Sequence, residues 1–301
     1  MKQEQTIRTP VECSGTGLHS GAAVSLRILP APAGSGIKFR RVDLDGFEVE
    51  ALGRNVARVS YATSLMKKGV LISTTEHLLS ALIGCGIDNA IVELDNLELP
   101  ILDGSAQPFV QAIHRAGIRK QRRARTYLRM VRDLELREGQ KFISIQPAEQ
   151  YSVSYSIDFP HPLIGKETFT VDLSNGTYLD QIAPARTFGF LHDADAMRRQ
   201  GLIRGASEKN AIVLTRDGLL NPPLRFANEF VRHKVLDLIG DLALVGKRIL
   251  GKVIADRAGH AMHTALVSRL LKDKTLWEET TEINEPETAA QPLTVAQSTA
   301  N

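Results

Sequence analysis

The chain has 301 residues, of which 43% are hydrophobic and 24% charged, and its formal net charge at pH 7 is +3. This length suits one large domain or two ordinary ones, and the composition is typical of a soluble globular protein. The two cysteines do not suggest a disulfide framework and fit a reducing cytoplasm, while the net charge is too small to indicate nucleic-acid binding by itself. There is no signal-peptide core and no apolar run long enough to span a bilayer.

The first half is predicted to contain short strands followed by a helix, a strand and a second helix. A glycine-rich turn that carries His19 joins the first two strands, and it lacks the spacing of a nucleotide-binding loop. Periodicity then predicts a helix over 74–84, a strand over 88–95 and a helix over 105–117.

The middle of the chain is strongly basic, with eight Arg or Lys in residues 115–132. Such a run is either a polyanion-binding patch or a solvated linker, and the lack of aromatic platforms favours the linker. We therefore expect a first domain over 1–120 and a second over 121–277. The segment 278–301 contains five acidic residues and no basic ones, which predicts a disordered tail.

The second half repeats the order of the first. Strands come first, then a short helix near 194–200, and then a helix over 228–245, a strand over 248–256 and a helix over 261–273. The repeated order predicts a duplicated domain.

The helix over 228–245 is predicted to carry two different faces. One row is apolar at helical spacing, which indicates a buried side. Asn228 can cap the start and Gly246 can close the end. The other row has members four residues apart, one turn above the other, and consists of Glu229, His233, Asp237 and Asp241.

His233 and Asp237 can present a nitrogen and an oxygen to one metal ion, or they form an ion pair on a solvated face. If the halves are equivalent, their first helices face each other, and His77 would complete three ligands with a fourth position open, as catalytic zinc requires. Glu76 diverges from His77 by about 100 degrees and would reach a water on that ion as a general base. Alternatively, Ser73 and Glu76 form a capping box, in which Glu76 only bonds the helix start.

Five segments, in this order, closely resemble the zinc-dependent UDP-3-O-acyl-N-acetylglucosamine deacetylases of lipid A synthesis: STTEHLLSALIGCGIDN, ILDGSA, ARTFGF, EFVRHKVLDLIGD and AGHA. The resemblance extends from about Thr6 to Lys272. It implies an α+β fold of two pseudo-duplicated α/β sandwich domains, each a sheet packed on helices, with the active site at their interface. It also implies a cytoplasmic enzyme of a Gram-negative-type bacterium, which releases acetate from UDP-3-O-(3-hydroxyacyl)-N-acetylglucosamine in an early committed step.

By matching motif, the resemblance implies one catalytic Zn²⁺, with Fe²⁺ as the alternative, held by His77, His233 and Asp237. Glu76 would be the base that takes a proton from water. Further roles are implied for His260 as cationic partner and general acid, Asp241 as its orienting carboxylate, Thr187 as a hydrogen-bond donor to the oxyanion and Lys234 as a substrate contact.

Several residues are candidates for contacts with the substrate. Phe188, Phe190, Leu191, Met197 and Leu202 follow Thr187 in a polar region, and they either line a passage for the acyl chain or form the core of a small insert. The resemblance places such a passage in an insert of the second domain. By the same resemblance, further substrate contacts are Phe159 as an aromatic that stacks on uridine, Arg257 near phosphate, and His19 and Asp103 in supporting roles; Asp103 otherwise caps the helix near Ser105.

Two alternatives remain at this point. One is a zinc amidohydrolase that acts on another N-acetyl sugar, and the other is a non-enzymatic protein that binds a polyanion through residues 115–132. The polyanion-binding alternative leaves three features unexplained: the Glu76–His77 pair, the spacing of His233 and Asp237, and the AGHA segment. The expected partners are therefore the UDP-sugar and water, with no nucleic acid and no transmembrane segment, and the expected state is a monomer.

Overall fold

A computed structural model of the chain describes residues 1–173 and 176–283. The helices are α1 Glu76–Gly84, α2 Gln107–Ala116, α3 Thr177–Gln181, α4 Leu191–Arg199, α5 Glu229–Leu242 and α6 His260–Lys272. The strands are β1 Gln3–Ile7, β2 Val11–Thr16, β3 Ala23–Pro30, β4 Ile37–Arg41, β5 Phe47–Glu50, β6 Val56–Arg58, β7 Ser64–Lys67, β8 Val70–Ile72, β9 Ala90–Leu94, β10 Ile118–Ala124, β11 Tyr127–Met130, β12 Leu134–Glu138, β13 Lys141–Gln146, β14 Tyr151–Phe159, β15 Gly165–Asp172, β16 Phe188–Phe190, β17 Ile212–Leu214, β18 Arg248–Asp256 and β19 Trp277–Thr280.

The first half is built on a five-stranded sheet in the order β2-β3-β9-β4-β5. Neighbouring strands are antiparallel, except that β4 and β9 are parallel. Val24, Leu26 and Ile28 of β3 are buried, while the residues between them are exposed. This alternation is typical of a sheet with one face on the core and one face in water.

The second half contains a larger sheet around β18. One edge of β18 pairs with β13, and the other pairs with β11 near its start and with β14 further along. In the strand order β12-β13-β18-β14-β15, the first two neighbouring pairs are antiparallel, the third is parallel and the fourth is antiparallel. The sheet of the first half has the same succession of antiparallel and parallel pairs. The mixed architecture of sheets and helices agrees with the expected α+β class.

Helices α1 and α5 pack directly against each other. Their close approach depends on Gly240, because a Cβ atom there would lie 2.0 Å from the backbone oxygen of Glu76. Any larger residue would push the start of α1 away from α5. The glycine therefore keeps Glu76 and His77 next to the row of polar side chains on α5.

Two capping predictions are wrong. Glu76 Oε2 accepts a hydrogen bond from the backbone nitrogen of Thr63 at 3.0 Å, so it is not paired with Ser73 in a capping box. Asn228 precedes α5, but its side chain accepts a bond from Arg232 Nε at 2.6 Å and makes no cap hydrogen bond. Gly246 does take the left-handed conformation, with φ at 81°, after the last turn.

The basic run is not a solvated linker. Part of it forms β10, which pairs with β1, and the expected boundary between residues 120 and 121 falls inside this strand. Arg125 is buried and its Nη2 lies 2.7 Å from Asp88 Oδ2. The expected disorder is also wrong for residues 278–280, because β19 pairs with β11. The rest of the expected tail, from residue 284, lies outside the described residues.

A pair of truncations should distinguish β19 from the segment after it. Removing residues 277–301 should lower the melting temperature by at least about 5 °C, because it deletes β19 and the bond from Trp277 Nε1 to Leu270 O at 2.7 Å. Removing only residues 284–301 should leave the melting temperature and the turnover number close to native. Thermal unfolding and steady-state rates measure both effects. A loss of activity by orders of magnitude in the shorter deletion, with the fold intact, would contradict this expectation.

None of the helices in residues 1–173 and 176–283 is both long enough and apolar enough to cross a membrane.

Candidate metal centre and active site

The row of polar residues on α5 is buried, and it meets the start of α1. His77 Nε2 lies 3.6 Å and His233 Nε2 3.2 Å from Asp237 Oδ1. One ligand atom from each of these three residues lies within 4.8 Å of the others. All three side chains are at most 6% exposed, so the alternative of a solvated ion pair is wrong.

The donor atoms fit a divalent cation. His233 Nδ1 donates to the carbonyl of Ala185 at 3.1 Å, which leaves a lone pair on Nε2 facing the Asp237 carboxylate. Burial lowers the pKa of His233 and so favours the neutral ring. His77 is likewise buried, and its Nδ1 has no hydrogen-bond partner. Acceptors that face each other in a buried space repel unless a cation lies between them, and two imidazoles with one carboxylate suit a catalytic metal.

Glu76 is placed beside this cluster as the first residue of α1. Its side chain is buried, and burial raises the pKa of its carboxyl, although His260 and His77 oppose the effect. The residue that holds it is Thr63, whose amide donates to Glu76 Oε2. The Thr63 hydroxyl donates to Asp241 Oδ1 at 2.5 Å. Thr63 therefore links the candidate base to Asp241, and no signal in the polar segment around it predicted this.

His260 and Asp241 form a buried pair. His260 opens α6, and its Nδ1 lies 2.7 Å from Asp241 Oδ2. Burial would lower the pKa of His260, but Asp241, followed by Asp237 and Glu76, raises it to about 9. The imidazole is therefore protonated at neutral pH, as a cationic partner and general acid must be.

Two further predicted residues lie next to the cluster. Lys234 Nζ donates to Asp237 Oδ2 at 2.9 Å, so it contacts the oxygen that faces away from the two histidines. The Thr187 amide donates to Gly104 O at 2.8 Å, which fixes its backbone two residues after the Ala185 carbonyl that holds His233.

A model of the UDP-3-O-acyl N-acetylglycosamine deacetylase family matches residues 4–272 of the chain. The chain belongs to this family. A UDP-3-O-acyl-N-acetylglucosamine deacetylase of Solibacter usitatus is 54% identical over 279 residues, which cover 92% of this chain and 94% of that protein. A deacetylase of the same name from Xylella fastidiosa is 44% identical over 92% of this chain and 93% of its own length. One from Cellvibrio japonicus is 41% identical over 98% of this chain and all of its own length. The resemblance to this family, which was inferred from five sequence segments, is confirmed.

Aromatic residues of this family member gather on one side of α5. Phe188 lies 6.5 Å from His233 between ring centroids and 5.6 Å from Phe159. Phe190 lies 5.9 Å from Phe159. A cavity of about 620 Å³ next to them is lined by residues that include Phe159, Phe190 and Leu191. Phe159, which was expected at the uridine, therefore lies with the residues expected at the acyl chain, whereas Met197 and Leu202 are outside the lining of this cavity.

The remaining candidates are held by other protein groups. Arg257 binds Asp256 Oδ2 at 3.0 Å and Gln140 Oε1 at 2.7 Å. Asp103 Oδ1 accepts from the Ser105 amide at 3.0 Å, and its Oδ2 lies 2.8 Å from Arg225 Nη2. The capping alternative for Asp103 is wrong, because α2 begins at Gln107 after Ala106, without a side-chain cap hydrogen bond. The structure does not bring Arg257 and Asp103 into the metal cluster.

His19 differs from them because its imidazole lies buried near Glu98 and the Tyr61 backbone. Its backbone amide donates to the buried carboxylate of Glu98 at 2.8 Å, while both ring nitrogens are buried without a hydrogen-bond partner. The glycine-rich turn therefore holds a buried imidazole whose hydrogen-bonding capacity is unused.

Proposed function

We propose that this chain hydrolyses the N-acetyl group of UDP-3-O-(3-hydroxyacyl)-N-acetylglucosamine and releases acetate, as an enzyme of lipid A biosynthesis. The observation that carries the proposal is a buried cluster of ionisable side chains in a member of the deacetylase family. That cluster combines three metal-ligand side chains with a carboxylate of raised pKa and a protonated imidazole. No structural metal site would need the last two groups.

The metal we propose is Zn²⁺, held by His77, His233 and Asp237. Two imidazoles and one carboxylate are typical of catalytic zinc, although Fe²⁺ accepts the same donors. When bound, such an ion polarises the amide carbonyl and makes water a nucleophile at neutral pH, which a poor electrophile such as an acetamide requires.

The side chains around the metal site supply the proton transfers. Glu76 accepts the proton of the attacking water, since its raised pKa makes it a stronger base than an exposed carboxylate. The His260 imidazolium and the Thr187 hydroxyl stabilise the negative charge that develops on the amide oxygen. The leaving amine takes its proton either from Glu76 or from His260. Lys234, which contacts the ligand Asp237, adds a positive charge beside the substrate.

For the substrate, we assign Phe188, Phe190 and Leu191, together with Phe159, to the acyl chain. The support is the cavity that Phe159, Phe190 and Leu191 line, together with the contacts of the Phe188 ring with Phe159 and Phe190. The ring of His19 is assigned to a polar part of the substrate, because its buried nitrogens lack a hydrogen-bond partner. The contact of Arg257 with phosphate stays a prediction.

We also propose that the fold consists of two duplicated α/β sandwich domains, one built on the sheet β2-β3-β9-β4-β5 and one on the sheet around β18, with the active site between them. The matching order and direction of strands in the two sheets supports duplication. The contact of α1 with α5, which brings ligands from both halves together, supports the position of the site. The cytoplasmic location and the monomeric state stay predictions.

An assay of the purified, zinc-loaded protein tests the proposed function directly. We expect acetate release from UDP-3-O-acyl-N-acetylglucosamine and at least ~100-fold lower kcat/KM for UDP-N-acetylglucosamine, because the second substrate lacks the acyl group that the apolar cavity would bind. Equal rates on the two substrates would favour a general N-acetyl sugar amidohydrolase. Absence of turnover on both would overturn the proposal.

A further inference from the structure

The carboxylate of Asp241 is shared by two imidazoles, and the mechanism above uses only one of them. His260 Nδ1 and His263 Nδ1 lie 2.7 Å and 2.8 Å from the same oxygen, Asp241 Oδ2. A carboxylate only accepts hydrogen bonds, so each ring donates its Nδ1–H. The other oxygen accepts from the Thr63 hydroxyl. His263 and Asp241 are fully buried, so water does not compete for these bonds.

The far side of His263 is held by Tyr155 of β14. His263 Nε2 lies 3.1 Å from the Tyr155 hydroxyl oxygen, which in turn lies 2.5 Å from the carbonyl of Ala258. Burial lowers the pKa of His263, so its ring is neutral with the proton on Nδ1. Its Nε2 therefore has a lone pair. The Tyr155 hydroxyl has one proton, which it can donate either to this lone pair or to the Ala258 carbonyl. Ala258 stands two residues before His260, so the same hydroxyl also anchors the loop that presents His260.

We propose that His263 is a positioning residue of the deacetylation reaction, which holds the Asp241 carboxylate and limits the basicity of His260 by taking part of the carboxylate's charge. The inference rests on the proposed function, because it assigns a task to His263 only if His260 acts in catalysis. It adds a residue to the site that no motif of the sequence singled out.

The charges around the two rings give the direction of the effect. Burial lowers the pKa of His260, but its hydrogen bond to Asp241 and the negative charges of Asp237 and Glu76 raise it by more. His263 faces Asp241, His260 and the Tyr155 hydroxyl. A hydrogen bond from the neutral His263 ring stabilises the Asp241 carboxylate and leaves less of its charge to attract the proton of His260. Without that bond the pKa of His260 rises, and the ring becomes a weaker proton donor.

Two substitutions of His263 separate this effect from space filling. His263→Asn keeps an N–H donor near the position of Nδ1, whereas His263→Leu fills similar space without a donor. The native kcat/KM should fall as pH rises through about 9, where His260 loses its proton. In His263→Leu the alkaline limb should move up by roughly half to one pH unit and kcat should fall ~3–30-fold. In His263→Asn the limb should stay within about 0.2 units of native.

The second readout is the titration of His260 itself, followed by NMR of zinc-loaded protein with labelled histidine. It does not depend on turnover, so it distinguishes a failure of this inference from a failure of the proposed function. Tyr155→Phe serves as a control for loop anchoring, because it removes the bond to Ala258 O and leaves the donor to Asp241 in place. We expect it to lower kcat and to leave the titration of His260 unchanged.

A folded His263→Leu protein in which His260 titrates as in the native enzyme, or at lower pH, would overturn the inference. If that variant does not fold, His263→Met lacks the donor as well and answers the same question. Full activity of a His260→Gln variant would instead overturn the catalytic role on which the inference depends.

Discussion

Replacement of Glu76 by Gln, or of His260 by Gln, is expected to lower kcat by ~10²–10⁴-fold and to leave the metal content near one ion per chain. Glu76 Oε2 binds the Thr63 amide, and His260 Nδ1 binds Asp241, so neither residue belongs to the three-ligand cluster. Both substitutions keep the size of the side chain and remove the titrating group. The loss should therefore be a loss of proton transfer rather than of binding.

Metal analysis and steady-state kinetics on the same samples test this expectation. The acetyl substrate should bind both variants with KM within about tenfold of native, because the groups removed act on the proton transfers. A His260→Gln protein that purifies without metal would show that His260 helps to hold the ion. A Glu76→Gln protein with native kcat would remove Glu76 from the mechanism.

The second large effect concerns the metal ligands. Asp237→Ala should lose most of its zinc affinity and, with it, nearly all activity, because the only carboxylate of the three-ligand cluster disappears. It also leaves Lys234 without its partner at 2.9 Å, which places an unpaired ammonium beside the two imidazoles. That charge repels a cation further. Treatment of the native enzyme with a chelator should abolish acetate release, and added zinc should restore it.

Asp241→Asn is the matched control, because Asp241 lies one turn further along the same face of α5 and is equally buried. It should retain zinc and lose catalysis, since Asp241 binds His260, His263 and Thr63 and is outside the three-ligand cluster. Equal zinc loss in the two variants would show that the ligand assignment is wrong. Full activity of native protein that demonstrably lacks metal would overturn the metal mechanism.

Several properties of this protein follow from the sequence alone, because they depend on neighbours along the chain. A spacing of four residues places His233 and Asp237 on one side of a helix whatever surrounds it. Apolar periodicity predicted the principal helices and strands, and the five motifs predicted the family that the comparisons confirmed. The order of strands and helices in each half was also visible without a structure.

Other properties were decided only by the tertiary structure, because they depend on residues far apart in the chain. A capping box for Glu76 is a sound local prediction, but the buried carboxylate binds the Thr63 amide instead. The polar row on α5 would be exposed to solvent if α1 did not pack against it. Gly240 permits this packing, because it has no side chain and leaves room for the Glu76 backbone. His263 and Tyr155 carry no motif, and their hydrogen bonds form only when β14, α5 and α6 come together around Asp241. Sequence periodicity thus determined which side chains lie on the same face of a helix, whereas burial and long-range packing determined which of them form hydrogen bonds with one another.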